Sequence, residues 1–271
     1  MTILTWAVAA VLTTYCAVVI SAWAFQRSLI YLPDPARVLP VSAGLPAAEE
    51  IWFDRPDGIR LVAWYQPSRH GDQTLLYFHG NAGNLAARAE RMRAYAELGY
   101  GMLMLSYRGY SGSTGAPSEA HNVMDAVAVF DWLRARVKDH CNIVLYGESL
   151  GSGVAVQLAL QRRCGGLILD APFTSIAELG QQAYPILPVK ALLTDRYDTL
   201  AQIPSVATPV LVLHGALDAV TPVSMGRRVF EAATAPKRLA VVPGAGHSDH
   251  HDHGAFEIVQ KWLSDLRDHR D

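Results

Sequence analysis

A chain of 271 residues is the size of one large domain. Half of it (51%) is apolar and 18% is charged, which excludes a disordered or collagen-like polypeptide. A net charge of −2 with no long basic run argues against a nucleic-acid partner, which would need a positive patch.

The charges are unevenly placed. All of them follow Gln26, so residues 1–26 account for the positive mean hydropathy of +0.13. From Ile3 to Phe25 only Thr5, Thr13, Thr14 and Ser21 are polar. As a helix this stretch would be about 34 Å long, enough to cross a hydrocarbon core of about 30 Å. Trp23 and Tyr31 flank its end as interfacial aromatics do. A cleaved signal peptide is the alternative, since Ala22-Trp23-Ala24 has A-x-A spacing. No Lys or Arg precedes the apolar run, however, and the run is longer than an ordinary signal core. We therefore expect a retained single-pass anchor over residues 1–26. Arg27 and Arg37 follow the span, so the positive-inside tendency places the remaining chain in the cytoplasm. Cys16, Cys141 and Cys164 lack C-x-x-C spacing, which predicts neither a disulfide framework nor a zinc site.

Residues 27–49, with Pro33, Pro35, Pro40 and Pro46, read as a juxtamembrane linker. Residues 50–271 read as one α/β domain in which short apolar runs alternate with helical patterns. Predicted strands are 61–65, 74–78, 100–105, 142–146, 166–169, 209–213 and 238–242. Predicted helices are 85–98, 119–137, 150–161, 223–233 and 255–266. The later strands are continuously apolar, as strands buried on both faces of a parallel sheet are. Their alternation with helices predicts a mostly parallel twisted sheet covered on both sides. The interval of about 174–206 is too long for a plain connection and is expected to form a short helical cap over the C-terminal sheet edge.

Chemistry concentrates after the strands. Gly147-Glu148-Ser149-Leu150-Gly151 follows a strand and opens a helix, the context in which G-x-S-x-G exposes a nucleophilic serine. A serine hydroxyl needs a base, and in this architecture the acid and then the histidine follow it in chain order. Asp218 follows the 209–213 strand and His247 follows the last one, so Ser149, His247 and Asp218 are the expected nucleophile, base and orienting acid. Asp170 is the competing acid, its commoner role being to cap the turn that follows it. His250, His251 and His253 stand near Asp249 and Asp252, but their spacing fits no metal motif, and a solvated helix entry is expected instead. His79 and His214 end strands and are expected to be structural hydrogen-bonders. The loop from His79 to Asn84 is where a second oxyanion donor arises. The backbone N–H groups of Asn81 and Leu150 are the expected pair.

These motifs carry a resemblance. His79-Gly80-Asn81-Ala82-Gly83-Asn84, Tyr107 to Ser113, the elbow at Ser149, Asp218 and His247 together resemble the α/β-hydrolase superfamily. The same loop, Phe25 to Tyr31, and Asp195-Arg196-Tyr197-Asp198 are similar to the single-pass, membrane-anchored subgroup related to bud-emergence homologues and protein depalmitoylases. The resemblance implies an α/β-hydrolase fold and hydrolysis of a small-molecule or lipid-like ester or thioester, with no cofactor and no metal. Depalmitoylase relatives carry a palmitoylated, cysteine-rich leader, whereas here only Cys16 lies in that region. Peptidases of the superfamily share the triad, but no acidic cluster marks capture of a substrate amine, and Glu148 sits at the elbow position that points away. The apolar residues Ile186, Leu187, Leu192 and Leu193 of the cap suggest an acyl site. A binding protein that kept the fold and lost chemistry is the third reading.

Overall fold

In the computed structural model, which describes residues 2–69 and 73–268, the first element is helix α1, Ile3–Ala24, with none of its residues buried. Its 22 residues are long and apolar enough to cross a membrane. Helix α2, Gln26–Ile30, follows directly. The chain then runs over the domain rather than away from it. Strand β1, Leu32–Pro33, pairs in parallel with β5, Ala82–Gly83.

Eight further strands form one sheet. They are β2 (Glu49–Asp54), β3 (Arg60–Gln66), β4 (Thr74–Phe78), β6 (Gly101–Leu105), β7 (Ile143–Glu148), β8 (Gly166–Asp170), β9 (Val210–Gly215) and β10 (Lys237–Val242). Their order is β10-β9-β8-β7-β4-β6-β3-β2. The β2–β3 and β3–β6 pairs are antiparallel and all others are parallel. Strand β2 is missing from the expectation drawn from the sequence. It is an edge strand whose outer Trp52 is covered by the Arg37 and Arg60 guanidiniums, 5.1 and 4.7 Å from the ring centre, so it lacks a buried strand's continuous apolar run.

The continuous apolar runs follow from two cores. In β4, Leu76 and Phe78 face the core shared with α4 (Glu119–Arg134), α5 (Leu150–Ala159) and α9 (Val223–Ala232). Leu75 and Tyr77 face the core shared with α3 (Ala89–Glu97) and α10 (Ala255–Asp268). Because adjacent strand residues point to opposite faces, covering both faces requires apolar residues at every position. Between β8 and β9 lie the short helices α6 (Ile176–Ala183), α7 (Val189–Leu192) and α8 (Thr199–Gln202). They sit where the parallel strands end, the edge at which α/β sheets present their sites. The predicted ranges that reach residue 1 or 269–271 extend outside the described residues.

Candidate active site

Ser149 stands between β7 and α5 with φ 50° and ψ −115°. A non-glycine residue takes that backbone only when its surroundings enforce it. Two glycines are the enforcers. A Cβ at Gly151 would meet the Phe78 carbonyl oxygen at 2.0 Å, and one at Gly147 would meet the Gly151 carbonyl oxygen at 2.4 Å. The turn is also pinned by the Ser149 N–H donating to the Asp170 carbonyl at 2.8 Å.

The loops after β9 and β10 bring their residues to this turn. His247 Nε2 lies 3.0 Å from Ser149 Oγ, and His247 Nδ1 lies 2.7 Å from Asp218 Oδ2. A carboxylate at Nδ1 keeps the proton there, leaving Nε2 free to accept from the serine hydroxyl. The acid is itself held. Asp218 Oδ1 accepts the N–H groups of Val220 (2.9 Å) and Thr221 (2.8 Å), and His214 Nε2 lies 3.4 Å from Oδ2. Burial alone would raise the Asp218 pKa. The hydrogen bonds from His214, His247 and Thr221 outweigh it and hold the carboxyl well below its ordinary value.

Asn81 and Leu150 line the same cavity as Ser149. Asn81 is fixed on both sides: Nδ2 donates to the Ile30 carbonyl at 3.0 Å, and its carbonyl accepts from Leu32 N–H at 2.9 Å and Tyr110 O–H at 2.6 Å. Among the described residues no backbone carbonyl accepts the N–H of Asn81 or of Leu150. Both donors therefore remain available beside the serine. The cavity has a volume of about 210 Å³ and is walled by apolar residues of the cap, including Leu179, Leu187, Leu192 and Leu193. Ile186 does not line it and stands 76% exposed, because the cap turns its tip outward, toward α1.

Two sequence expectations need correction. Asp170 does not cap its turn. It is buried, accepts from Tyr146 O–H at 2.8 Å, and pairs with His250 Nδ1 at 2.6 Å. His250 is accordingly buried rather than solvated, with Nε2 accepting from Gly215 N–H at 3.0 Å. This second Asp–His pair ties β8 to the loop that carries His247. His214 and His79 are structural hydrogen-bonders, as expected. His214 Nε2 lies 2.8 Å from the Thr221 carbonyl and His79 Nδ1 lies 2.7 Å from that of Gly80. Burial, with help from Arg88, lowers His79 to about 3, so its ring is neutral. Glu148 turns away from the cavity into Arg91 (3.1 Å), Arg88 (3.5 Å) and Tyr77. Burial raises its pKa, but the two arginines prevail and bring it down to about 2.

One polar cluster escapes a reading by motif. Arg27 and Tyr31 reach Asp195 at 3.1 and 3.0 Å, and Tyr31 meets Tyr197, which accepts from Asn122. The two segments quoted above for their resemblance, 25–31 and 195–198, therefore touch.

The fold agrees with comparison to known proteins. A family model described as alpha/beta hydrolase fold matches residues 73–200. The chain belongs to the α/β-hydrolase fold family. The uncharacterized protein Rv2307c of Mycobacterium tuberculosis is 42% identical over 245 residues, covering 89% of this chain and 87% of that protein. Lysophosphatidylserine lipase ABHD12 of Macaca fascicularis is 31% identical over 211 residues, covering 69% of this chain and 52% of that protein. The ferulic-acid-bound Est1E of Butyrivibrio proteoclasticus shares the fold, with a TM-score of 0.68 at 20% identity over 80% of this chain and 98% of that one.

Proposed function

We propose that this protein is a membrane-anchored serine hydrolase that cleaves carboxylic esters or thioesters. Ser149 Oγ attacks the acyl carbonyl while His247 Nε2 takes its proton, and the oxyanion accepts the N–H groups of Asn81 and Leu150. His247 returns that proton to the leaving alcohol or thiol. Water, deprotonated by the same nitrogen, then attacks the acyl-enzyme, and His247 gives that proton to the departing Ser149 Oγ as the acid is released. Asp218 holds the imidazole in the tautomer these steps need and stabilises its charged form. The observation that carries the reading is the Ser149–His247–Asp218 chain of 3.0 and 2.7 Å contacts opening into an apolar cavity.

The acyl preference over a peptidase reading is supported by the cavity wall, which contains no Asp or Glu among the described residues to receive a substrate amine. The names of the relatives point the same way, one a lysophosphatidylserine lipase and another solved with ferulic acid. Anchoring rests on α1, which has no buried residue. This reading groups the chain with the single-pass hydrolases its 79–84 loop resembles, its catalytic domain on the cytoplasmic side. A screen of p-nitrophenyl esters of increasing chain length against aminoacyl p-nitroanilides tests it. Ester turnover that exceeds anilide turnover and depends on Ser149 is expected. Preferential anilide turnover would establish the peptidase instead, and turnover of neither would favour a binding protein. A reporter fused after Asp271 should be active only in the cytoplasm.

A further inference from the structure

The cap does not end at the domain surface. It is fastened to α2 by two contacts and, farther along, to the apolar helix α1 by a third. Arg27 pairs with Asp195 at 3.1 Å, Gln26 Oε1 accepts from Thr194 N–H at 2.8 Å, and Tyr15 O–H donates to the Ile186 carbonyl at 2.8 Å. Tyr15 lies nine residues before Ala24, or about 13 Å along the helix axis. The cap tip thus reaches well up the segment that would occupy the hydrocarbon.

The tip has the chemistry for that depth. No charged residue occurs between Glu178 and Lys190. Tyr184 and Ile186 are 49% and 76% exposed, a large apolar display for a loop in water. Irregular backbone at membrane depth is tolerated only where its polar groups are satisfied within the protein. Here they are. Gln181 Nε2 donates to the carbonyls of Tyr184, Pro185 and Leu187 at 3.4, 3.3 and 2.9 Å, and Tyr15 covers that of Ile186. Pro185 and Pro188 remove two N–H groups that would otherwise need partners.

The cavity continues this geometry. Its wall runs from Ser149 past Leu187 and Leu192 to Ala22, Trp23 and Leu29, so the apolar helix and the cap share it. We propose that residues 184–189 are seated in the bilayer beside α1, and that the cavity admits the acyl chain of a membrane-resident lipid ester sideways from the hydrocarbon. The substrate half of this proposal rests on the hydrolase reading above; the seating of the cap does not.

The full-length chain in phosphatidylcholine vesicles supplies the test. Ile186→Cys, in a Cys16→Ser, Cys141→Ser background, is labelled with NBD. Quenching by doxyl-labelled lipid and protection from iodide are expected. Quenching by iodide with none by doxyl lipid would overturn the seating. Ile186→Glu adds a kinetic readout, since a carboxylate in hydrocarbon is costly. Hydrolysis of vesicle-borne p-nitrophenyl palmitate should fall about tenfold or more, while detergent-solubilised p-nitrophenyl acetate changes less than about twofold. Equal changes in the two would overturn sideways entry. Doxyl-lipid quenching of the NBD-labelled chain, together with a wild type that hydrolyses neither ester, upholds the seating and refutes the hydrolase reading.

Discussion

Asp218→Asn is the substitution whose consequence the geometry specifies most fully. Asp218 Oδ1 accepts two backbone N–H groups, from Val220 and Thr221, at 2.9 and 2.8 Å. An asparagine there must place its amide oxygen at that position, because an NH2 group would face two donors. Its NH2 then faces His247 Nδ1, where Oδ2 had stood at 2.7 Å. The imidazole is forced to accept at Nδ1 and to carry its proton on Nε2, toward Ser149 Oγ at 3.0 Å. In that tautomer it cannot accept the serine proton. A wrong-tautomer base of this kind costs about 10⁴ in rate in serine proteases, which is about 5.5 kcal/mol of barrier. The volume change is negligible, so the fold should persist. The assay is kcat/KM for a p-nitrophenyl ester at pH 7.5, beside thermal unfolding of the same preparation. A loss below about tenfold in a folded variant would refute the assignment of Asp218 as the orienting acid.

Three further outcomes follow from the same contacts. Asp170→Asn breaks the buried pair with His250, so stability should fall by about 3 kcal/mol while kcat/KM stays within about tenfold; a 10⁴-fold loss would transfer the acid's role to Asp170. Gly151→Ala sets a methyl 2.0 Å from the Phe78 carbonyl oxygen, and a loss of about 4 kcal/mol or failure to fold is expected. A melting temperature unchanged from wild type would show that the elbow can relax. Acid should destabilise in two stages. His79 takes up its proton near 6.5 unfolded but only at about 3 when folded, so its contribution is lost as pH falls from 6.5 toward 3. Glu148 has a folded value of about 2 against 4.5 unfolded, so its contribution of about 3 kcal/mol is present above 4.5 and lost below. Glu148→Gln should shrink the lower stage, to which the depressed carboxyls of Asp170 and Asp218 also contribute, and melting temperatures independent of pH between 7 and 3 would contradict both stages.

What the sequence reveals depends on how local each cause is. Strands β4 and β6–β9 are legible because burial on both faces writes an apolar residue at every position. Edge strand β2 is illegible because Arg37 and Arg60 cover Trp52 in place of a helix. Ser149, Asp218 and His247 are legible because each follows a strand end in an order the fold imposes. His250 is not, since its burial depends on Asp170, 80 residues earlier in the chain. Its neighbours in sequence look like a solvated histidine run. Ile186 is misread for a related reason. Its apolar side chain fits a cavity wall, yet the turn made by Pro185 and Pro188 and the bond from Tyr15 aim it outward, beside α1.

The central claim is that Ser149 is an activated nucleophile. Labelling by a fluorophosphonate probe tests it most directly, because the reagent reports attack by the hydroxyl without requiring knowledge of the substrate. Wild-type protein should be labelled at Ser149, Ser149→Ala should not be labelled, and His247→Ala should be labelled far more slowly. An unlabelled wild type, or equal labelling of wild type and Ser149→Ala, would contradict the claim.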